Sequence, residues 1–275
     1  MTQIVQITSL EAAGLEPYRT LRRPHDHVRD GIFVAEGSKV VQRLLETRIN
    51  IESFLLTPEW HARLAARISS LPNNPPVYVG EKNLLETIVG IDLHQGIMAV
   101  AKIPSSASLD GILRSSPRPW FLVAVDGLTN AENLGVLVRN CVAFGVQALI
   151  VGETSSSPYL RRAVRNSMGA IFKLPVVHVD DLRQTMLALR TAHKVRTIAA
   201  HPHADQDVLH RSTLLTDCCI VFGSEGSGIS SGILDACEST VAVPMHNDVD
   251  SLNVASASAV FLYEVYRQRT NEIAR

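Results

Sequence analysis

The chain has 275 residues, 46% hydrophobic and 19% charged, with a formal net charge of −1. That composition supplies a packed core and excludes an intrinsically disordered chain. The near-neutral balance excludes a protein that grips nucleic acid through bulk positive charge, so any RNA contact has to come from local patches or from shape. The start of the chain lacks the apolar run of a secretory leader, and no apolar stretch reaches the ~18 residues of a membrane span. The expectation is a cytoplasmic protein with no membrane partner and one large or two small domains.

In chain order, Thr8-Ser9-Leu10-Glu11 has the form of a capping box, and Pro17 suits the first turn of a short helix. His25-Asp26-His27 reads as a solvated turn. Residues 38–47 carry Val40, Val41, Leu44 and Leu45 at helical spacing, and residues 51–56 read as a strand. Thr57 then caps a helix with Pro58 at its first position. Residues 77–79 form a short strand, 83–89 a helix and 96–103 an apolar strand. Residues 1–104 therefore make a small α/β module, on which Arg19, Arg22, Arg23 and Arg29 form a basic cluster suited to RNA, with acidic neighbours that keep the total charge low. Ser- and Pro-rich stretches at 104–108 and 115–119 mark a linker over 105–118.

Residues 119–275 alternate more regularly. Strands are expected at 120–125, 148–151, 175–179, 195–200, 218–222 and 240–243, and helices at 133–144, 158–167, 180–192, 230–237 and 251–269. Such alternation predicts an α/β fold, a mostly parallel sheet with helices on both faces. Ligands of these sheets sit beyond the carboxyl ends of the strands, which points to the loops after Val125, Ala200, Phe222 and Val243. Cys141, Cys218, Cys219 and Cys237 form no C-x-x-C pair and read as buried reduced thiols.

Three of those loops carry unusual chemistry. After Val125, polar residues from Asp126 lead into a helix that Asn133 is suited to cap, Gly135 permits close backbone approach, and Gly145 suits the helix end. Arg139 falls on an otherwise apolar helix, where a buried guanidinium needs a partner, either in a structural ion pair or in an anion or ribose contact. After Phe222, Gly223, Gly226 and Gly228 free backbone N–H groups for a ligand, but Glu225 opposes a phosphate cradle. The glycine spacing is neither a P-loop nor a dinucleotide fingerprint, which disfavours a nucleotide-dependent oxidoreductase. After Val243, Pro244-Met245-His246 precedes a helix capped by Asp250 or Ser251. The first turns of that helix, Ala255-Ser256-Ala257-Ser258-Ala259, admit a close neighbour: another helix in an ordinary contact, or a tightly wound loop, a second subunit, or both. Arg161, Arg162 and Arg165 form a solvated basic helix face or a phosphate-binding patch. His201-Pro202-His203 with Asp205 lacks a second ligand cluster, so no metal site is expected.

Together the three loops resemble the sequence motifs of the SpoU-type (TrmH-like) RNA 2′-O-ribose methyltransferases of the SPOUT superfamily, in order and near the family's spacing. The residues are Asn133, Gly135 and Arg139 followed by Ala143-Phe144-Gly145; Gly223-Ser224-Glu225-Gly226-Ser227-Gly228-Ile229-Ser230; and Val243-Pro244-Met245 with Ser251-Leu252-Asn253-Val254, then Leu262-Tyr263-Glu264 and Arg267-Gln268. One departure stands after Arg139, where Asn140-Cys141 replaces the usual small hydroxyl residue followed by Ala. Residues 28–37 and 96–100 resemble the start and the last strand of the small ribosomal-protein-like RNA-binding module that many of these enzymes carry.

The resemblance implies a deep C-terminal trefoil knot and S-adenosylmethionine as cofactor, held around Ala199, Gly223, Val243, Met245 and Leu252, with Val243 and Leu252 against adenine. It implies catalytic roles for Asn133, Arg139, Glu225 and Asn253, in which Arg139 orients and polarises the ribose while Asn133, Asn253 and Glu225 hold the arrangement. It further implies RNA contacts by Arg22, Arg29 and Arg165, and a homodimer whose interface includes the last helix. The added module favours large-subunit ribosomal RNA as the substrate. The alternatives are tRNA ribose methylation, and a non-catalytic RNA-binding assembly protein, which intact Arg139, Glu225 and Asn253 oppose.

Overall fold

The structure, a computed structural model, describes residues 2–9, 11–89, 95–202, 208–246 and 249–273. The chain divides into two compact units, one of Met1–Ser105 with Pro158–Phe172, the other of Ser106–Ser157 with Lys173–Arg275. In chain order the first unit begins with β1 (Ile4–Gln6), α1 (Glu16–Arg19), α2 (Pro24–Arg29), β2 (Ile32–Glu36) and α3 (Ser38–Leu44). It continues with β3 (Ile51–Leu56), α4 (Pro58–Ser69), β4 (Val77–Val79), α5 (Lys82–Val89) and β5 (Ile97–Lys102). The second unit opens with α6 (Leu109–Ser115), β6 (Phe121–Val125), α7 (Ala131–Ala143) and β7 (Ala148–Val151). The chain returns to the first unit for α8 (Arg161–Asn166), then completes the second with β8 (Val176–His178), α9 (Leu182–Thr191), β9 (Arg196–Ala200), β10 (Cys218–Phe222), α10 (Ser231–Ala236), β11 (Ser239–Val241) and α11 (Val254–Ile273).

Among the described residues, the first unit holds a mixed sheet in the order β1-β4-β3-β5-β2, in which β5 runs antiparallel to both neighbours. Its core includes Tyr18, Leu55, Leu85 and Met98, and the Tyr18 hydroxyl is satisfied by Ser53 Oγ at 2.9 Å. Thr57 caps α4 as its sequence predicts, accepting from Trp60 N at 3.5 Å. Three local expectations are corrected. Ser9 Oγ accepts from Glu11 N in a turn, and the first helix starts later, at Glu16, with Pro17 in its first turn. His25-Asp26-His27 is helical, with His27 buried and bonded to Thr20 Oγ1 at 2.8 Å, and burial holds its imidazole below the usual range. Arg161 and Arg165 do not form a free basic face. Both oxygens of the buried Glu36 carboxylate take a guanidinium, one from buried Arg161 and one from Arg165 at 3.0 Å, because a buried charge requires a hydrogen-bonded opposite charge. The segment carrying them packs on β2, where Phe33 meets Tyr159 at 5.5 Å and Phe172 at 5.6 Å between ring centroids.

Among the described residues, the second unit holds a six-stranded sheet in the order β11-β9-β10-β6-β7-β8, with every pairing parallel. Successive strand residues face opposite sides. Leu122, Ala124, Cys219 and Val221 pack with Ile112 and Leu113 of α6, Leu182 and Met186 of α9 and Ile233 of α10. The opposite side meets α11, with Phe222 edge-on to Phe261 at 5.8 Å and the Arg269 guanidinium over Phe121. The expected parallel sheet with helices is thus present. The expected linker is not a bare connection, since α6 lies within 105–118 and buries Ile112 and Leu113. Its apolar pair is outweighed in the sequence by flanking Ser and Pro. All four cysteines are buried and free, and burial raises their thiols, that of Cys218 to about 11. No helix among the described residues is long and apolar enough to cross a membrane.

Helix α7 starts ahead of its expected cap. Asn130 Oδ1 accepts from Glu132 N at 2.9 Å and Asn133 N at 3.1 Å. Asn130→Ala is expected to destabilise the protein by about 1 kcal/mol, lowering the midpoint of thermal unfolding by roughly 2–4 °C.

Candidate active site

The site forms at the carboxyl ends of β6, β9, β10 and β11. Asp126, the first residue after β6, is buried; its Oδ2 accepts from Ser230 N at 2.7 Å and its Oδ1 from Thr154 Oγ1 at 3.5 Å. It thereby fixes the end of the loop that joins β10 to α10, a role that nothing in its sequence context signals. Within that loop Ser224 and Gly228 exchange backbone hydrogen bonds of 3.0 and 3.2 Å, and Gly228 sits at φ +68°. The turn is so tight that a Cβ on Gly223 would lie 2.2 Å from Gly228 C and 2.3 Å from Ile229 N. Only glycine fits there.

A cavity of about 410 Å³ lies between this loop, the end of β9 and the segment leading into α11. Phe222 and Phe261 contribute aromatic walls, and Glu225, Ser227, Asp250 and Asn253 supply polar groups. Of the residues expected to hold the cofactor, Gly223, Val243, Met245 and Leu252 line it. Ala199 does not. It is fully buried within β9, opposite Val221 and Thr240, and the lining residue is its neighbour Ala200. The volume suits a small-molecule site with apolar walls and few polar groups. A glycine that keeps a Cβ out of the turn and apolar side chains such as Leu252, 39% exposed, fit an adenosyl group. His201 and Pro202 also line the cavity, whereas His203 and Asp205 lie outside the described residues.

One side chain from each of the three loops joins a single hydrogen-bond chain. Asn133 Nδ2 donates to Glu225 Oε1 at 2.6 Å, and Asn253 Nδ2 donates to Asn133 Oδ1 at 3.1 Å. Because Asn130 caps α7, the Asn133 side chain is available for this network. Asn253, rather than Asp250 or Ser251, serves the start of α11, its Oδ1 accepting from Ala255 N at 2.9 Å. Glu225→Ala is expected to lower activity at this site about tenfold, the worth of a hydrogen bond to a charged group, whereas Glu225→Gln, which keeps an acceptor oxygen, retains most of it. Steady-state assays of the two variants check this.

Arg139 stands apart. The expectation of a buried arginine is corrected: Leu137 and Val138 turn into the core, while Arg139, one position further round α7, is exposed and makes no ion pair among the described residues. It does not line the cavity. In the first unit Arg22 is exposed, Arg29 is exposed and pairs with Asp26 at 3.3 Å and Asp30 at 3.5 Å, and Arg165 pairs with Glu36.

A parallel sheet with a cavity of this size at the carboxyl ends of its strands is the arrangement of an α/β enzyme that binds a small-molecule cofactor. The SpoU rRNA Methylase family matches residues 121–263. The 23S rRNA (guanosine-2′-O-)-methyltransferase RlmB of Photobacterium profundum is 33% identical over 245 residues, covering 87% of this chain and 98% of that one. An AdoMet-bound rRNA methyltransferase from Sinorhizobium meliloti shares the fold, with a TM-score of 0.81 at 22% identity over 96% of this chain and 98% of that one. A solved RNA 2′-O ribose methyltransferase gives a TM-score of 0.76 at 26% identity over 98% and 100% of the two chains. The chain belongs to the SpoU rRNA methylase family and is an S-adenosylmethionine-dependent RNA 2′-O-methyltransferase.

Proposed function

We propose that the substrate is ribosomal RNA of the large subunit, methylated at a ribose 2′-hydroxyl, and that Asn133, Arg139, Glu225 and Asn253 serve the transfer. The observation that carries this reading is the Glu225–Asn133–Asn253 hydrogen-bond chain, which ties the three loops together beside the cavity. Bound in that cavity, S-adenosylmethionine supplies an electrophilic methyl group. The Gly223 backbone, Val243, Met245 and Leu252, which line it, would hold the adenosyl part, with Val243 and Leu252 as the apolar surfaces for the adenine. Asn133, fixed from both sides, positions the ribose. The Arg139 guanidinium offers N–H donors in a planar fork and no acceptor. It therefore acts as a donor that polarises the 2′-oxygen and stabilises negative charge developing there, while the hydroxyl proton passes to solvent.

The finer architecture belongs to the same proposal. The C-terminal segment forms a trefoil knot, a rare exception to ordinary chain connections. Support comes from β11, which follows β10 but lies beyond β9, and from the segment after it, which shares a cavity with the Gly223 loop. The protein acts as a homodimer. Val260, Tyr263 and Tyr266 expose a contiguous apolar face on α11, with Phe144 packed against both tyrosines at 5.9 and 6.1 Å. An exposed Arg139 outside its own chain's cavity suits a site completed by a second subunit. The first unit is the RNA-binding module, using Arg22, Arg29 and Arg165, and the enzyme works in the cytoplasm.

The test is to map ribose methylation on total RNA from cells with and without the gene. Loss of one large-subunit modification supports the proposal. Loss in tRNA alone would transfer the target, and no change in any RNA would refute it.

A further inference from the structure

The residue after Arg139 is where this chain departs from the motif it otherwise follows. Asn140 is half-buried, and its Nδ2 donates to Ala255 O and to Ser258 Oγ, each at 2.9 Å. Ser258 is fully buried, and its hydroxyl donates in turn to the same Ala255 carbonyl at 2.7 Å. The three groups close a hydrogen-bonded ring between α7 and α11. Asn133 precedes Asn140 by about two helical turns, so the two side chains share one face of α7. Asn133 bonds to Asn253 just before α11, and Asn140 bonds inside the first turns of that helix. The helices are therefore fastened at two points along one face.

Buried Leu134, Leu137, Val138 and Cys141 set the rotation of α7 about its own axis coarsely, and the two fastenings narrow it further. Arg139 has no ion pair among the described residues, so that rotation sets the direction in which its side chain leaves the helix. A turn of about 10° displaces a group at the helix's outer radius of about 5–6 Å by about 1 Å. A small hydroxyl at this position ends one bond beyond Cβ, one bond short of the amide nitrogen that makes both contacts. We infer that Asn140 is a positioning residue for methyl transfer, which locks α7 against α11 and so sets the direction of Arg139. The inference rests on the proposed role of Arg139.

The experiment uses the full chain, saturating S-adenosylmethionine and ribosomal RNA from a strain lacking the gene. Asn140→Ala and Asn140→Asp, the second of which keeps the shape but has no N–H donor, are expected to lower the single-turnover rate by about ten- to a hundredfold, the cost of a misplacement near 1 Å. Cofactor affinity by calorimetry and the KM for RNA stay at wild-type values. Ser258→Ala lowers the rate less, and the Asn140→Ala/Ser258→Ala double variant is no slower than Asn140→Ala, as expected of groups in one unit. If Asn140→Ala does not fold, Ser258→Ala carries the same comparison. Wild-type rates in the folded variants overturn the inference even where thermal stability falls, and so does a rate loss matched by an equal loss of cofactor affinity. Arg139→Ala is assayed alongside. An active Arg139→Ala removes the underlying reading, whereas an inactive Arg139→Ala beside a fully active Asn140→Ala removes only this inference.

Discussion

Replacing Arg139 with alanine is expected to reduce methyl transfer by at least about 100-fold, the loss seen when one preorganised donor to a developing oxyanion is removed. Cofactor affinity is expected to stay unchanged, because Arg139 lies outside the cavity lined by Gly223, Val243, Met245 and Leu252. Folding stability is also expected to hold, since the side chain is exposed and breaks no ion pair among the described residues when truncated. The combination separates a chemical role from a structural one. Arg139→Lys tests the geometry further: lysine keeps the charge but presents a point rather than a planar fork, so it recovers only part of the rate. Single-turnover transfer and calorimetric titration on the same preparations measure both quantities, and normal turnover by Arg139→Ala would sink the assignment.

Gly223→Ala is expected to act on the opposite half of the reaction. An added Cβ meets backbone atoms of Gly228 and Ile229 at 2.2–2.4 Å, and backbone cannot swing aside as a side-chain tip can. Overpacking of this kind costs about 1–3 kcal/mol. If the turn relieves the strain by shifting toward the cavity, cofactor affinity falls about ten- to a hundredfold, the same energy expressed as binding. Gly226→Ala is the control for stability, because a Cβ there meets no protein atom within 4 Å and should leave the unfolding midpoint as it is. A Gly223→Ala protein with unchanged cofactor affinity and unfolding midpoint would show that the turn is looser than its contacts indicate.

The parallel sheet was legible because its strands are buried on both faces and stand out as continuous apolar runs, as in Phe121–Val125 and Cys218–Phe222. The loops after those strands were legible as a site because their polar and glycine residues do not suit a core. What the sequence left ambiguous was the choice among equivalent caps: Asn130 and Asn133 are both good helix starters, and so are Ser251 and Asn253. The choice decided which asparagines were free to join Glu225. The exposure of Arg139 turned on helix phase, which a single position on an apolar helix does not fix. Asp126, a short polar residue after a strand, carries no local mark of its bond to Ser230, a partner 104 positions away. Arg161 read as surface because its partner Glu36 is 125 residues distant and no local pattern connects them.

That last separation has a consequence for the order in which the protein is made. The first unit comprises Met1–Ser105 together with Pro158–Phe172, so its chain is not complete when the ribosome has finished its sheet. Phe33 lacks the rings of Tyr159 and Phe172, and Glu36 lacks both guanidiniums, until the later segment has been synthesised. At about 5–20 residues per second, the nascent chain carries an uncovered β2 for roughly 6–25 s after Glu36 is added. β6, α7 and β7 are synthesised in the later part of that interval, so the N-terminal unit closes only after synthesis of the catalytic unit has begun.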